Sequence, residues 1–348
     1  TQMRHLAELP RGLRIGALVL ASILLLAEAA QAQDPVAVRL TVQPRTLVTT
    51  LIEVADEQGF FKEVGISPEL VTVANGPAAV TALASGSVDV ATNAPEVFNA
   101  LADKGQSVKL IMGQARQLGV LVARPDFDFP SEFPASIASL KGKKIGVTAL
   151  SSATQYLTIM MLKQAGIEAS EVEFVAVGAT PSQALANGVV DAGFVTGPQV
   201  VISQSLGSRM MVDLRTTDNC PSQLTICGIG QVGMWAMGDW IDKNAETVEK
   251  VRRAIAKADM FMHDPANADK VREILLTHVP ADSPDALKKG YADYAMSVIS
   301  GAFGKEDLQH WIEVDTQAGV VKGALDVSKV YAEGTPATAD DVKRLAAQ

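Results

Sequence analysis

An eight-residue phrase near position 83 returns about a hundred residues later. Leu83-Ala84-Ser85-Gly86-Ser87-Val88-Asp89-Val90, closed by Pro95-Glu96-Val97, is matched by Leu185-Ala186-Asn187-Gly188-Val189-Val190-Asp191-Ala192, closed by Pro198-Gln199-Val200. Upstream, Gly65-Ile66 and the apolar run 70–73 face Gly166-Ile167 and the run 172–177. Each copy reads as helix, Gly-Ile turn, buried strand, helix, Gly-x-Val-Asp turn, second strand and a proline-bearing loop. Alternating strands and helices of this length predict parallel sheets with right-handed crossovers. Two copies predict two α/β lobes. Open α/β sheets bind ligands at the carboxyl ends of their strands, so two facing lobes make a cleft suited to a small molecule. The turn residues Gly86, Asp89, Gly188 and Asp191 are read as architecture: Gly supplies the left-handed helix end and Asp bonds within the turn.

The first 32 residues read as an address. Arg4, Arg11 and Arg14 precede an apolar run over 15–27, then Ala30-Gln31-Ala32. A basic start, an apolar stretch too short to span a bilayer and a small-x-small site predict a secretory signal peptide cleaved after Ala32. The expected location is the periplasm. Residues 1–32 carry three Arg and two Glu, so the net charge of −9 becomes −10 without them. That excess of negative charge argues against nucleic acid as a partner.

Only two cysteines occur, Cys220 and Cys227. In an oxidising compartment so close a pair predicts a disulfide across a small loop. His263, His278 and His310 lie at no metal-ligand spacing from one another or from a Cys, and no metal or cofactor is expected. Nor is an enzyme: Ser151 and Ser152 lack a Gly-x-Ser-x-Gly elbow, and Gly142-Lys143-Lys144 lacks phosphate-loop spacing.

Along the chain, residues 38–42 predict a first strand and 47–64 a helix. Strands follow over 108–112 and 119–123, then 145–148, with a helix from Ser151 to about 165. Residues 230–237 predict a strand returning to lobe one. Val248, Val251, Ile255, Ala258 and Met262 fall at helical spacing, with His263 ending that helix. Trp235 is expected to pack inside the returning strand, and Trp311 and Tyr331 in the core or on the surface. The expected division is lobe one over 37–123 and 230–348 and lobe two over 124–229, with crossovers near 122–124 and 227–231.

Candidate ligand residues sit where predicted strands end. Gln43, Arg45 and Thr46 follow the first strand, and Arg45 suits either bidentate binding of a carboxylate or sulfonate or plain solvation. Asn75 and Gly76 start a helix, as a cap or as ligand contacts. Thr92, Asn93 and Ala94 are matched in the second copy by Thr196 and Gly197. Gln114 and, less centrally, Arg116 follow the strand 108–112. Ser151, Ser152, Ala153 and Thr154 open a helix whose free N–H groups and dipole suit an anion; an ordinary N-cap is the competing reading.

The order Ser139-Leu140-Lys141-Gly142-Lys143-Lys144-Ile145-Gly146-Val147, the Ser-rich helix start, Leu162-Lys163-Gln164-Ala165-Gly166-Ile167 and Ala184-Leu185-Ala186-Asn187-Gly188-Val189-Val190-Asp191-Ala192 resemble the nitrate/sulfonate/taurine-type (NMT1/THI5-like) periplasmic solute-binding proteins of ABC transporters. The resemblance runs from about Val38 to Met262. It implies a type II periplasmic-binding fold with two lobes joined by two crossovers, a monomer, and delivery of a small, anionic organic ligand to a permease and ATPase. Relatives use the loop matching 151–154 for ligand. Many also carry an aromatic and an acidic residue before the second-copy proline, where this chain has Val195-Thr196-Gly197-Pro198. A ligand sensor for a membrane kinase, or a pyrimidine-synthase-like enzyme on the same fold, are the alternatives; the signal segment and the scarcity of His and Cys speak against the enzyme.

Overall fold

The structure is a computed structural model that describes residues 34–218 and 220–348; the expected signal segment lies outside the described residues. Ten strands run in chain order as β1 (Val36–Val42), β2 (Ile66–Thr72), β3 (Val90–Asn93), β4 (Val108–Arg116), β5 (Gly119–Ala123), β6 (Lys144–Val147), β7 (Glu173–Ala176), β8 (Ala192–Thr196), β9 (Arg209–Asp213) and β10 (Gly230–Met237). They build two sheets, ordered β2-β1-β3-β10-β4 and β7-β6-β8-β5-β9. These orders are the same pattern twice. In each, a first strand lies parallel between two others, and one antiparallel strand is inserted beside the third. The internal repeat is thus a repeat of sheet topology, and the protein is a two-lobed α/β fold.

The local chemistry explains the elements. In β1, Val38, Leu40 and Val42 are buried while Val36 stays exposed at the strand's start. Strand β10, flanked on both sides by other strands, is buried at every residue from Gly230 to Ala236, as expected of an interior strand. Trp235 on that strand stacks on Phe98 at 4.8 Å between ring centroids, an arrangement worth about 0.5–1.5 kcal/mol beyond its buried area. Trp311 is fully buried and donates its indole N–H to the Gly230 carbonyl at 2.7 Å. The helix expected over 47–64 is two helices, Thr50–Glu57 and Phe60–Glu63, because Gly59 takes a left-handed φ of 78° between them.

Asp89 and Asp191 act across strands rather than within their turns. Asp89 accepts the Arg39 amide at 2.9 Å and two bonds from the Arg39 guanidinium. Its counterpart Asp191 accepts the Lys144 amide at 3.0 Å. Each aspartate therefore pins the third strand of its lobe to the first.

Strand β5 is the main departure from expectation. It was expected to close lobe one, yet it pairs with β8 and β9 in the second sheet. The first crossover is consequently the two residues between β4 and β5, Gln117 and Leu118, and not the segment 122–124. Hydrophobic periodicity could not have placed it, because a buried strand looks the same in either sheet. The second crossover is the longer segment 214–229 between β9 and β10, and it carries the Cys220–Cys227 disulfide, with an S–S distance of 1.96 Å.

Candidate functional site

Strand direction decides where the two sheets face one another. Strands β1, β2 and β3 are parallel, and β10 is antiparallel to both β3 and β4, so β4 leaves sheet one at its carboxyl edge. Strand β5 is antiparallel to β8, with Gly119 opposite Thr196, so it enters sheet two at that sheet's carboxyl edge. Two residues join these edges. The return from β9 to β10 does the same, since Gly233 lies opposite Asn93 at the end of β3. Both carboxyl edges therefore meet across one cleft, flanked by the crossovers.

The loops leaving β1 and β6 are built alike. In lobe one the Gln43 amide donates to Thr49 Oγ1 at 3.1 Å, six residues on. In lobe two the Thr148 amide donates to Thr154 Oγ1 at 3.0 Å, also six residues on. Inside these loops lie the two non-glycine residues with positive φ among the described residues, Arg45 at 64° and Ser151 at 61°. Such backbone costs of order 1 kcal/mol or more and gathers at functional sites. Arg45 is exposed and makes no ion pair among the described residues, while Thr46 Oγ1 donates to the Gln43 carbonyl at 2.7 Å.

Ser152 does not cap its helix. Its backbone is extended at the N-cap position, but its hydroxyl accepts no helix N–H. It donates instead to the Ala149 carbonyl at 2.7 Å and lies 3.2 Å from Thr148 Oγ1 and 2.9 Å from Thr154 Oγ1. Three hydroxyls are thereby gathered at the start of helix Ala153–Gln164. Asn75, by contrast, does cap: its Oδ1 accepts the Ala78 amide at 3.0 Å.

The remaining loops pack on these. Gly76 sits against Asn93, so close that a Cβ there would lie 2.8 Å from Asn93 Oδ1. The Asn93 carbonyl accepts the Trp235 indole N–H at 3.3 Å, and its own Oδ1 accepts the Ala94 amide at 2.9 Å. Gly197 has φ 57° and ψ −139°, a backbone open to glycine alone. Its amide donates to the Tyr294 hydroxyl at 3.2 Å.

Several polar atoms along the carboxyl edge of sheet one are buried without a hydrogen-bond partner on the protein. They include Gln43 Nε2, Thr92 Oγ1, both amide atoms of Gln114 and both of Gln117. Native proteins pair nearly all such groups, so a cluster of exceptions calls for a functional account. The structure thus brings 43–46, 75–76 and 92–94 together in lobe one and 151–154 together in lobe two. Gln114 lies on the crossover side of the cleft, near Gln117, and the loop 196–197 is held from beneath by Tyr294; Arg116 at the end of β4 is exposed.

Sequence reading missed Gln117, Thr148, Tyr294, Glu96 and His278. His278 Nδ1 lies 2.6 Å from the Tyr291 hydroxyl, and burial, helped by the Arg45 charge, lowers its pKa to about 4. Only the repeat could have flagged Glu96, which directly follows the first-copy proline; the others carry no local signal. His263 faces its own helix, with Nδ1 2.8 Å from the Asp259 carbonyl, in keeping with a helix-end role.

Comparison with known proteins places this geometry. The model of the family described as NMT1/THI5 like matches residues 48–268. A solved structure from Bordetella bronchiseptica RB50 is 26% identical, with 90% of this chain and 98% of that one covered and a TM-score of 0.71. The periplasmic aliphatic sulphonate binding protein SsuA from Escherichia coli superposes with a TM-score of 0.66 at 17% identity, covering 85% of this chain and 97% of that one. The periplasmic nitrate-binding protein NrtA from Synechocystis PCC 6803 does so at 0.69 and 14% identity, covering 90% and 89%. Among curated proteins none matches the sequence.

Proposed function

We propose that this chain, which belongs to the NMT1/THI5-like family, is an extracytoplasmic solute receptor that captures a small anionic organic molecule between its lobes and delivers it to an ABC permease and ATPase. The observation that carries the reading is the pairing of unpartnered polar atoms at one carboxyl edge with a hydroxyl-lined helix start at the other. Arg45 and the hydroxyl-lined start of helix Ala153–Gln164 supply positive potential and donors from opposite lobes, the Ser151 amide being bonded to Gln155 Oε1 at 2.6 Å. Gln43, Thr46, Asn75, Gly76, Thr92, Asn93, Ala94 and Gln114 line the lobe-one side, and Thr196 and Gly197 complete lobe two. The names of the structural relatives, binding proteins for aliphatic sulphonate and nitrate, agree with an anionic ligand. In this reading the lobe boundary falls at 117–118, the segment 1–32 directs export to the periplasm, and the protein works there as a monomer.

A thermal-shift screen of the protein without residues 1–32, against nitrate, alkyl sulfonates, taurine and small carboxylates, tests the proposal. A ligand at a hundred times its dissociation constant adds roughly 2.7 kcal/mol of stability. No shift with any anion, alongside a shift with neutral or cationic solutes, would overturn the anionic assignment.

A further inference from the structure

Helix Pro95–Asp103 begins at the cleft loop 92–94 and packs against helix Lys305–Gln317 within lobe one. Three polar side chains meet between them, Glu96, Asn99 and Asp315, and none has any solvent exposure. Glu96 and Asn99 stand three residues apart, on one face of their helix. Asn99 donates its side-chain amide to Asp315 Oδ2 at 2.7 Å, and Asp315 is the charge that Glu96 feels. The three side chains therefore converge on one point.

What they bring together is oxygen that no donor meets. Both Glu96 oxygens, Asp315 Oδ1 and Asn99 Oδ1 are buried without a hydrogen-bond partner. The Ala153 amide approaches Glu96 but completes no bond with it. Helix Gly76–Ala84 and strand β10, both packed on helix Pro95–Asp103, contain no charged residue, and Lys163 is engaged elsewhere, donating to the Gln317 carbonyl at 2.5 Å. Buried carboxylates are paired with a cation or bind a metal, and among the described residues the protein itself supplies this pair with no cation.

We propose that Glu96, Asn99 and Asp315 hold a hard divalent cation, Ca²⁺ in preference to Mg²⁺. Two carboxylates match its charge, and four oxygens with free lone pairs form its inner face. No group of three or more His, Cys, Asp or Glu side chains converges among the described residues; here the third ligand is a carboxamide, which serves Ca²⁺ and is foreign to the nitrogen and sulfur sites of Zn²⁺. Ca²⁺ tolerates an irregular oxygen set and takes a carboxylate through both its atoms, whereas Mg²⁺ demands a regular octahedron. Water that enters with the ion completes its shell. The ion ties the carboxy-terminal helix Lys305–Gln317 to the helix that begins at the cleft loop 92–94, so it braces one wall of the cleft from behind and takes no part in holding the solute.

Calorimetric titration and thermal unfolding with CaCl₂ and MgCl₂ test this, on the protein without residues 1–32, stripped with EDTA and given no organic solute. Wild type should bind one Ca²⁺ and unfold at a higher temperature with it, while Glu96→Gln and Asp315→Asn should each lose the binding heat. A wild type that binds neither ion, or folded variants that bind Ca²⁺ as wild type does, overturns the site; Mg²⁺ bound more tightly than Ca²⁺ overturns the choice of ion. Should neither variant fold, terbium emission excited through tryptophan decides, in a Trp240→Phe protein that keeps Trp311, four residues before Asp315, and Trp235, stacked on Phe98. Emission that Ca²⁺ displaces supports the site, and its absence refutes it. With no solute present, failure here leaves the receptor reading untouched.

Discussion

The Tyr294 hydroxyl accepts the Gly197 amide at 3.2 Å, from the loop after β8, and the same hydroxyl donates to the Leu118 carbonyl in the first crossover. Burial holds this phenol far above its ordinary pKa, so it stays protonated and able to donate. Above the ring lies Arg215 of the second crossover, 5.2 Å from the centroid and paired with Asp213. One side chain from helix Asp285–Val298 thus touches the cleft loop and both crossovers.

Tyr294→Phe should therefore remove two buried hydrogen bonds at a hinge while keeping the ring. We expect a loss of about 1–3 kcal/mol in urea unfolding, and weaker binding of whichever anion the thermal-shift screen identifies. Unchanged stability would mean that water satisfies Gly197 and Leu118 in its place.

Ser152→Ala separates capping from binding. Because the hydroxyl caps no N–H, stability should fall by less than the roughly 1 kcal/mol typical of a lost cap. Affinity for the identified anion should drop, as should that of Arg45→Ala, where a charge-assisted bond is worth roughly 1.5–3 kcal/mol. Calorimetry showing wild-type affinity in both proteins would move the site away from these loops.

His278 sets an acid limit. Its folded pKa of about 4 lies below the unfolded value of about 6.5, so the unfolded chain takes up the proton first. This contribution is complete above pH 6.5 and is lost as pH falls toward 4, at up to about 1.4 kcal/mol per pH unit. The difference in stability between wild type and His278→Gln should shrink across that window. A difference independent of pH would show that the imidazole is not held neutral.

Reducing the Cys220–Cys227 bond, which closes a loop of sequence separation 7, should cost about 2–3 kcal/mol. Thermal unfolding with and without reductant measures it. Loss of ligand response at a temperature where the fold persists would further tie the bond to the second crossover.

How much of this was legible differs by length scale. The repeat announced two equivalent lobes because Leu83, Asp89, Leu185 and Asp191 do the same local work in each, and the lone cysteine pair announced its own bond. The side of the cleft on which β5 lies was not legible, since Gly119-Val120-Leu121-Val122-Ala123 is a buried strand with no signature of its partners. Glu96 and Asp315 could not be joined on paper either. They lie on different helices more than two hundred residues apart, and ordinary helix patterning would have left both in water.

The two sheets differ in how they can be assembled during synthesis. Every strand of the second sheet comes from the unbroken stretch 119–213, whereas the first needs β10, residues 230–237, between β3 and β4. Contacts close in sequence form fastest, so the middle of the chain can organise while the amino-terminal strands still wait for a late partner. A chain interrupted before residue 230 would hold one finished sheet and, in the other, two strands with bare edges of the kind that recruit neighbouring chains into aggregates. The order of strands thus lets folding of this protein spread outward from its centre, with its amino-terminal strands the last to lose their bare edges.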